Sequence, residues 1–160
     1  YNMKSGCMKA ERLIEYYQQL CRNYPLLYIE DAFHEDDWLH FSQLTSLVPE
    51  KQIVGDDLFA TNDERLKMGI EKKAANTLLL KVNQIGTVSE ALKTAAMAKN
   101  NRFEITASLR SGETNDTFQA DLAVAVGAKQ MKLGSPVRGE RNGKYNRLMR
   151  IEDDLMSAVI

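Results

Sequence analysis

The sequence predicts an α/β fold of the (β/α) TIM-type barrel kind with about five strand-helix units, on three observations. Five short β-type runs are each followed by a helical stretch at a spacing of roughly 25 residues, the rhythm of parallel strands joined by helical crossovers. The runs are mostly apolar rather than alternating, as parallel strands covered on both faces are. Each run ends in residues that can do chemistry, and in a barrel the carboxyl ends of the strands share one mouth. The pattern therefore predicts one polar pocket.

The elements follow in order. A helix is predicted over Lys9 to Asn23, and Pro25 closes the segment before the first run, Leu26-Leu27-Tyr28-Ile29, which ends in Glu30-Asp31. The next helix, Asp36 to Leu47, carries Trp38, Leu39 and Phe41 as core candidates, and Pro49 closes it. Gln52-Ile53-Val54 then ends in Gly55-Asp56-Asp57. Asn62 caps a helix to Lys72, with Asp63 and Glu64 in the first turn and Gly69 read as lying near its end. Thr77-Leu78-Leu79-Leu80 ends in Lys81. Thr87-Val88-Ser89-Glu90 has capping-box spacing and opens a helix to Asn100, in which Leu92 and Met97 read as packing. Phe103 to Ala107 ends in Ser108-Leu109-Arg110-Ser111, and a helix over Thr117 to Val126 stops at Gly127. Gln130-Met131 ends in Lys132, and Glu140 to Ala158 forms the last helix. Five units do not close an eight-stranded barrel. Either the sheet is open, or residues 1 to 160 belong to a longer polypeptide, the reading that the start at Tyr1-Asn2-Met3 favours.

Composition limits the function classes. With 160 residues, 44% of them hydrophobic and 27% charged, the chain is expected to form one soluble globular domain. No apolar run approaches the roughly 20 residues that span a bilayer, and the N-terminus lacks the order of a secretory signal, so no membrane partner is expected. A net charge of -1, with cations spread along the chain, gives no reason to expect nucleic acid. Cys7 and Cys21 are read as sitting on one helix, too far apart for a disulfide, so free thiols and a cytoplasmic location are expected.

Taken singly, the strand-end residues have ordinary explanations. Glu30-Asp31 and Asp56-Asp57 read as acidic caps at strand-to-helix turns, and Arg110 or Lys132 as surface cations. Lys81 is different: a lysine after three leucines on a buried strand must find a partner or water. Joint occurrence at corresponding strand ends favours a shared site. His34 and His40 are assigned no catalytic role, because their spacing does not suit a helical metal site.

Five strings carry a family resemblance. Ile29-Glu30-Asp31-Ala32-Phe33, Val54-Gly55-Asp56-Asp57-Leu58, Leu78 through Thr87, Arg110-Ser111-Gly112-Glu113-Thr114 and Lys132-Leu133-Gly134-Ser135-Pro136 occur in this order. With Glu140-Arg141 and Lys144 through Glu152, they make the chain from about Tyr24 onward resemble the C-terminal barrel of the enolase family, the glycolytic phosphopyruvate hydratases. The resemblance implies an incomplete enolase-type barrel, with the amino-terminal domain and first barrel strands upstream. It also implies a hydro-lyase that interconverts 2-phosphoglycerate and phosphoenolpyruvate with Mg²⁺, active in the full-length polypeptide rather than in this chain alone, and homodimeric.

By the resemblance, Glu30 and Asp56 are two protein ligands of the metal, a third carboxylate lying upstream. Mg²⁺ takes hard oxygen ligands, which carboxylates at strand ends provide. Lys81 is the expected general base. An ammonium must first lose its proton, and a neighbouring cation such as Lys132 or Mg²⁺ favours that loss. Lys132 would pair with the substrate carboxylate, and Arg110 with Ser111 would hold its phosphate, to which a guanidinium fork is well matched. Leu109 departs from the family, which ordinarily has histidine there, and leucine can neither donate a hydrogen bond nor change charge. Ala32 replaces the usual proline, which is expected to loosen a loop. The alternative reading is an enolase-like structural or binding paralogue.

Overall fold

Helix and strand alternate along the chain, as the spacing predicts. A computed structural model describes residues 1–3 and 6–158. In order they form β1 (Asn2–Met3), β2 (Gly6–Cys7), α1 (Ala10–Asn23), β3 (Tyr28–Glu30), α2 (Trp38–Leu47), β4 (Gln52–Gly55), α3 (Asp63–Lys72) and β5 (Thr77–Leu80). Then come α4 (Val82–Ile85), α5 (Val88–Asn100), β6 (Glu104–Ser108), α6 (Phe118–Ala125), β7 (Gln130–Lys132) and α7 (Gly139–Ala158). β1 and β2 pair antiparallel, while β3 to β7 form one five-stranded parallel sheet in sequence order. The expected helices and strands are all present to within about two residues, the scatter normal at element ends. The short hairpin and α4 were not foreseen, being too brief to show a period.

Local chemistry sets the boundaries. Asn62 Oδ1 accepts from Arg65 N at 3.0 Å and starts α3, and Thr87 Oγ1 accepts from Glu90 N at 3.2 Å and starts α5. Gly127, at φ 62°, follows α6 as expected. Gly69 lies near the end of α3 as expected, but it is not the left-handed residue there. That residue is Lys73, at φ 53°. The role of Gly69 is close packing: a Cβ there would come within 2.3 Å of the Phe59 ring, and one at Gly55 within 2.5 Å. Two expectations are corrected. Cys7 is in β2, where Gly6 at φ 115° belongs to the hairpin, and only Cys21 is in α1, which begins at Ala10; both thiols are free. Leu39 and Leu92, read as core, are 63% and 43% exposed, since their helices turn other faces inward. Phe41 is fully buried as expected, and Trp38 and Met97 pack against the core.

The pleat sorts the strand residues onto two faces. Ile29, Ile53, Leu78, Leu80 and Ile105 belong to the apolar core shared with Leu44, Leu66, Ala95 and Leu122 of the helices. Their alternates face the other way: Glu30, Val54 and Asp56, then Leu79 and Lys81, then Thr106 and Ser108, then Lys132. Strand register puts Glu30 beside Val54, Leu79 beside Thr106 and Ser108 beside Lys132. This second face is therefore polar toward the carboxyl ends of the strands. The sheet is also strongly curled. Four inter-strand spacings would put β3 and β7 about 19 Å apart in a flat sheet, yet Lys132 Nζ donates directly to Glu30. Curling of this kind is the arc of an incomplete barrel.

Candidate active site at the strand ends

Each carboxyl end contributes its side chain to this polar face. Glu30 ends β3, Asp56 follows β4, Lys81 follows β5, Ser108 ends β6 and Lys132 ends β7. Two ion pairs cross the face: Lys81 Nζ with Asp56, both nearly buried, and the more open pair of Lys132 Nζ with Glu30. Lys81 thus finds the partner that a lysine at the end of a buried strand requires. Ser108 Oγ donates to the Lys132 carbonyl at 3.0 Å and ties β6 to β7 at the level of the site. Arg110 and Ser111 follow directly in an exposed segment on the same end of the sheet. Leu109, between buried Ser108 and exposed Arg110, is half-buried.

Several residues that the sequence reading did not assign hold this arrangement. Asp31, left-handed at φ 44°, accepts from Asp56 N and Asp57 N at 2.9 Å each, through its two carboxylate oxygens. It caps the neighbouring strand's loop rather than its own helix. Burial pushes the Asp31 carboxyl up from its ordinary range against the pull of those two N–H groups, and the Asp56 and Asp57 charges add to the rise. Gln84 Nε2 lies 3.3 Å from Asp56 Oδ1 and 3.4 Å from Asp57 Oδ1. Gln119, buried, donates to the Leu80 carbonyl at 3.4 Å. Lys144 of α7 is buried and donates to the carbonyls of Thr114 and Glu140, with Glu113 Oε2 at 3.4 Å. Glu113 also accepts from Asn83, two residues past Lys81, so one carboxylate joins the β5 and β6 loops. Gln84, Asn83 and Lys144 fall inside the strings that carry the resemblance, but nothing in their spacing predicts these contacts.

The donor set suits a hard divalent cation. Asp31, Asp56 and Asp57 each offer a carboxylate oxygen, all within 4.8 Å of one another. The expected ligands Glu30 and Asp56 share the polar face, and each is neutralised by a lysine. This tight cluster includes Asp56 but not Glu30, since Asp31 and Asp57 come from the adjoining loops.

Comparison with known proteins decides the family. The domain family described as enolase, C-terminal TIM barrel domain, matches residues 2–160. The chain belongs to that family. It is 51% identical over 161 residues to an enolase of Corynebacterium kroppenstedtii, with 100% of this chain and 38% of that protein covered. It is 54% identical over 161 residues to an enolase of Beutenbergia cavernae, at the same coverage. An enolase of Methanocaldococcus jannaschii is 53% identical over 155 residues, 97% of this chain and 36% of that protein. The chain thus spans little more than a third of the length of these enolases. The incomplete barrel is the fold expected of such a segment of the enolase C-terminal domain.

Proposed function

We propose that this chain supplies the C-terminal portion of an enolase-type barrel and half of the catalytic site of a phosphopyruvate hydratase, with the amino-terminal domain and first barrel strands contributed by the rest of the polypeptide. The reaction is the interconversion of 2-phosphoglycerate and phosphoenolpyruvate, a glycolytic step in the cytoplasm, carried out by a homodimer that uses Mg²⁺. The observation that carries the reading is the convergence of Lys81, Asp56, Glu30 and Lys132 on one face at four different strand ends.

Lys81 Nζ takes the proton from carbon 2: an N–H bond forms, the C–H bond breaks and its electron pair delocalises onto the substrate carboxylate. The hydroxyl on carbon 3 then departs as water, taking its proton from an acid carboxyl that the upstream part of the polypeptide would supply, while the electron pair left on carbon 2 forms the carbon-carbon double bond. Lys132 meets the substrate carboxylate once it exchanges Glu30 for it, and Arg110 and Ser111 grip the phosphate from the exposed segment beside β6. Glu30 and Asp56 would hold Mg²⁺, with Asp31 and Asp57 adjoining. When bound, such an ion supplies the positive charge that proton abstraction beside a carboxylate needs, as is general for the enolase superfamily. Giving Asp56 to a cation also leaves the Lys81 amine without its counter-charge.

The test is phosphoenolpyruvate formation, followed by ultraviolet absorbance at saturating Mg²⁺, by the full-length polypeptide and its Lys81→Ala variant. Turnover should be abolished, and activity that survives would remove the base assignment. Leu109 favours a second reading, a structural or binding paralogue with lost catalysis. Inactivity of every variant, including Leu109→His, would support it.

A further inference from the structure

We propose that Thr61 is the positioning residue of this site, its hydroxyl fixing the main chain of Lys81 so that the amine meets Asp56; the proposal rests on the reading of Lys81 as base. Thr61 is fully buried, five residues beyond Asp56 in the segment between β4 and α3. Its φ is 54°, and Ala60 before it has φ 47°, so two successive non-glycine residues adopt the left-handed conformation. For a β-branched residue this is a genuine outlier, and such strain persists only where the surroundings hold it.

The surroundings are the base itself. Thr61 Oγ1 accepts from Lys81 N at 2.9 Å, in a buried contact. The same hydroxyl can donate to the Leu79 carbonyl at 3.3 Å or to Gln84 Oε1 at 3.4 Å, while Thr94 Oγ1 donates to the Thr61 carbonyl at 3.0 Å. Lys81 needs such a partner because it stands between β5 and α4, past the last β5 residue that pairs with β6. Gln84 closes the ring by reaching Asp56 Oδ1 from its amide. One hydroxyl thus couples the loop that carries Asp56 to the residue that carries the base. Glycine would meet the backbone demand at position 61 without strain, so what threonine adds is the hydroxyl.

The experiment compares Thr61→Gly with Thr61→Ser in the full-length polypeptide. Glycine deletes the hydroxyl while suiting the backbone, and serine keeps it. The readouts are kcat, KM, melting temperature, and the rate at which the carbon 2 proton of 2-phosphoglycerate exchanges with deuterated solvent, which reports proton removal by itself. Misplacing a reacting group by about 1 Å costs on the order of a hundredfold. Thr61→Gly should therefore slow both kcat and exchange by about ten- to a hundredfold with KM little changed, and Thr61→Ser should restore both. Wild-type rates in Thr61→Gly, or equal losses in both variants that track the melting temperature, would overturn the proposal. Amide hydrogen exchange of residues 78–84 decides the matter without turnover. Faster exchange at Lys81 in Thr61→Gly alone supports the clamp, and unchanged exchange rejects it. An inactive wild type would instead overturn the enolase-type reading.

Discussion

At the scale of single residues, Leu109 and Asp37 carry separate predictions. Leu109 stands beside the proposed phosphate grip, and a histidine there would restore a donor to a charged group, worth about 1.5 to 3 kcal/mol. Realised in the transition state, this is roughly ten- to a hundredfold in rate. Leu109→His in the full-length polypeptide should raise turnover by about that factor in the phosphoenolpyruvate assay, and no gain would mean that leucine is not what limits it. Asp37 accepts from Tyr1 Oη at 2.6 Å and pairs with His40 Nδ1 at 2.5 Å. Burial works against its ionisation, but the Tyr1 and His40 contacts outweigh burial and hold the carboxyl below its ordinary range. A carboxyl depressed in the folded state contributes stability above its unfolded value, about 3.9, and loses it as pH falls through the folded value. The melting-temperature gap between wild type and Asp37→Asn should therefore shrink as pH falls below about 4. A gap that is constant down to pH 3 would contradict this.

At the scale of elements, β4 and α3 are joined through one ring. Phe59 is fully buried with Gly55 of the strand on one side and Gly69 of the helix on the other, and its ring also meets Trp38 and Phe103 at centroid distances of 6.4 and 6.1 Å. Alanine in place of Gly69 would gain up to about 1 kcal/mol of helix propensity, but its Cβ would fall 2.3 Å from the ring. Overpacking of a closed core costs about 1 to 3 kcal/mol, so Gly69→Ala should be net destabilising in chemical denaturation. A stabilised Gly69→Ala would show that the ring has room to move. Because Asp56 lies next to Gly55, loosening this contact should also disturb the site.

At the scale of the whole molecule, the sheet has two unpaired edges. β3 and β7 each pair on one side only among the described residues, and no strand joins them. Exposed apolar side chains gather beside the β7 edge: Val124 of α6 at 43%, with Met149, Leu155 and Met156 of α7 at 57%, 57% and 69%. Unpaired strand edges and apolar patches of this kind promote association. The chain made by itself should self-associate at micromolar concentration in size-exclusion chromatography with light scattering. A monodisperse monomer with a sharp cooperative melt would show that the curled sheet is sufficient alone.

The sequence by itself determined the order of strands and helices, because mostly apolar runs of two to five residues, caps at Asn62 and Thr87, and a stop at Gly127 are local signals read by local physics. It also marked Glu30, Asp56, Lys81 and Lys132, since chemistry-bearing residues at the ends of parallel strands converge by topology alone. It missed the packing role of Gly69 and placed Cys7 on a helix, because a close approach to Phe59 and a two-residue hairpin leave no period. Only the tertiary structure decided that Asp56 pairs with Lys81, and that Lys132 reaches Glu30 across the curl. It alone shows Asp31 capping a neighbouring loop and Thr61 holding Lys81 from a left-handed backbone. These contacts join residues from 20 to 102 positions apart, and which side chains meet at such separations is set by sheet curvature and backbone conformation that no local pattern encodes.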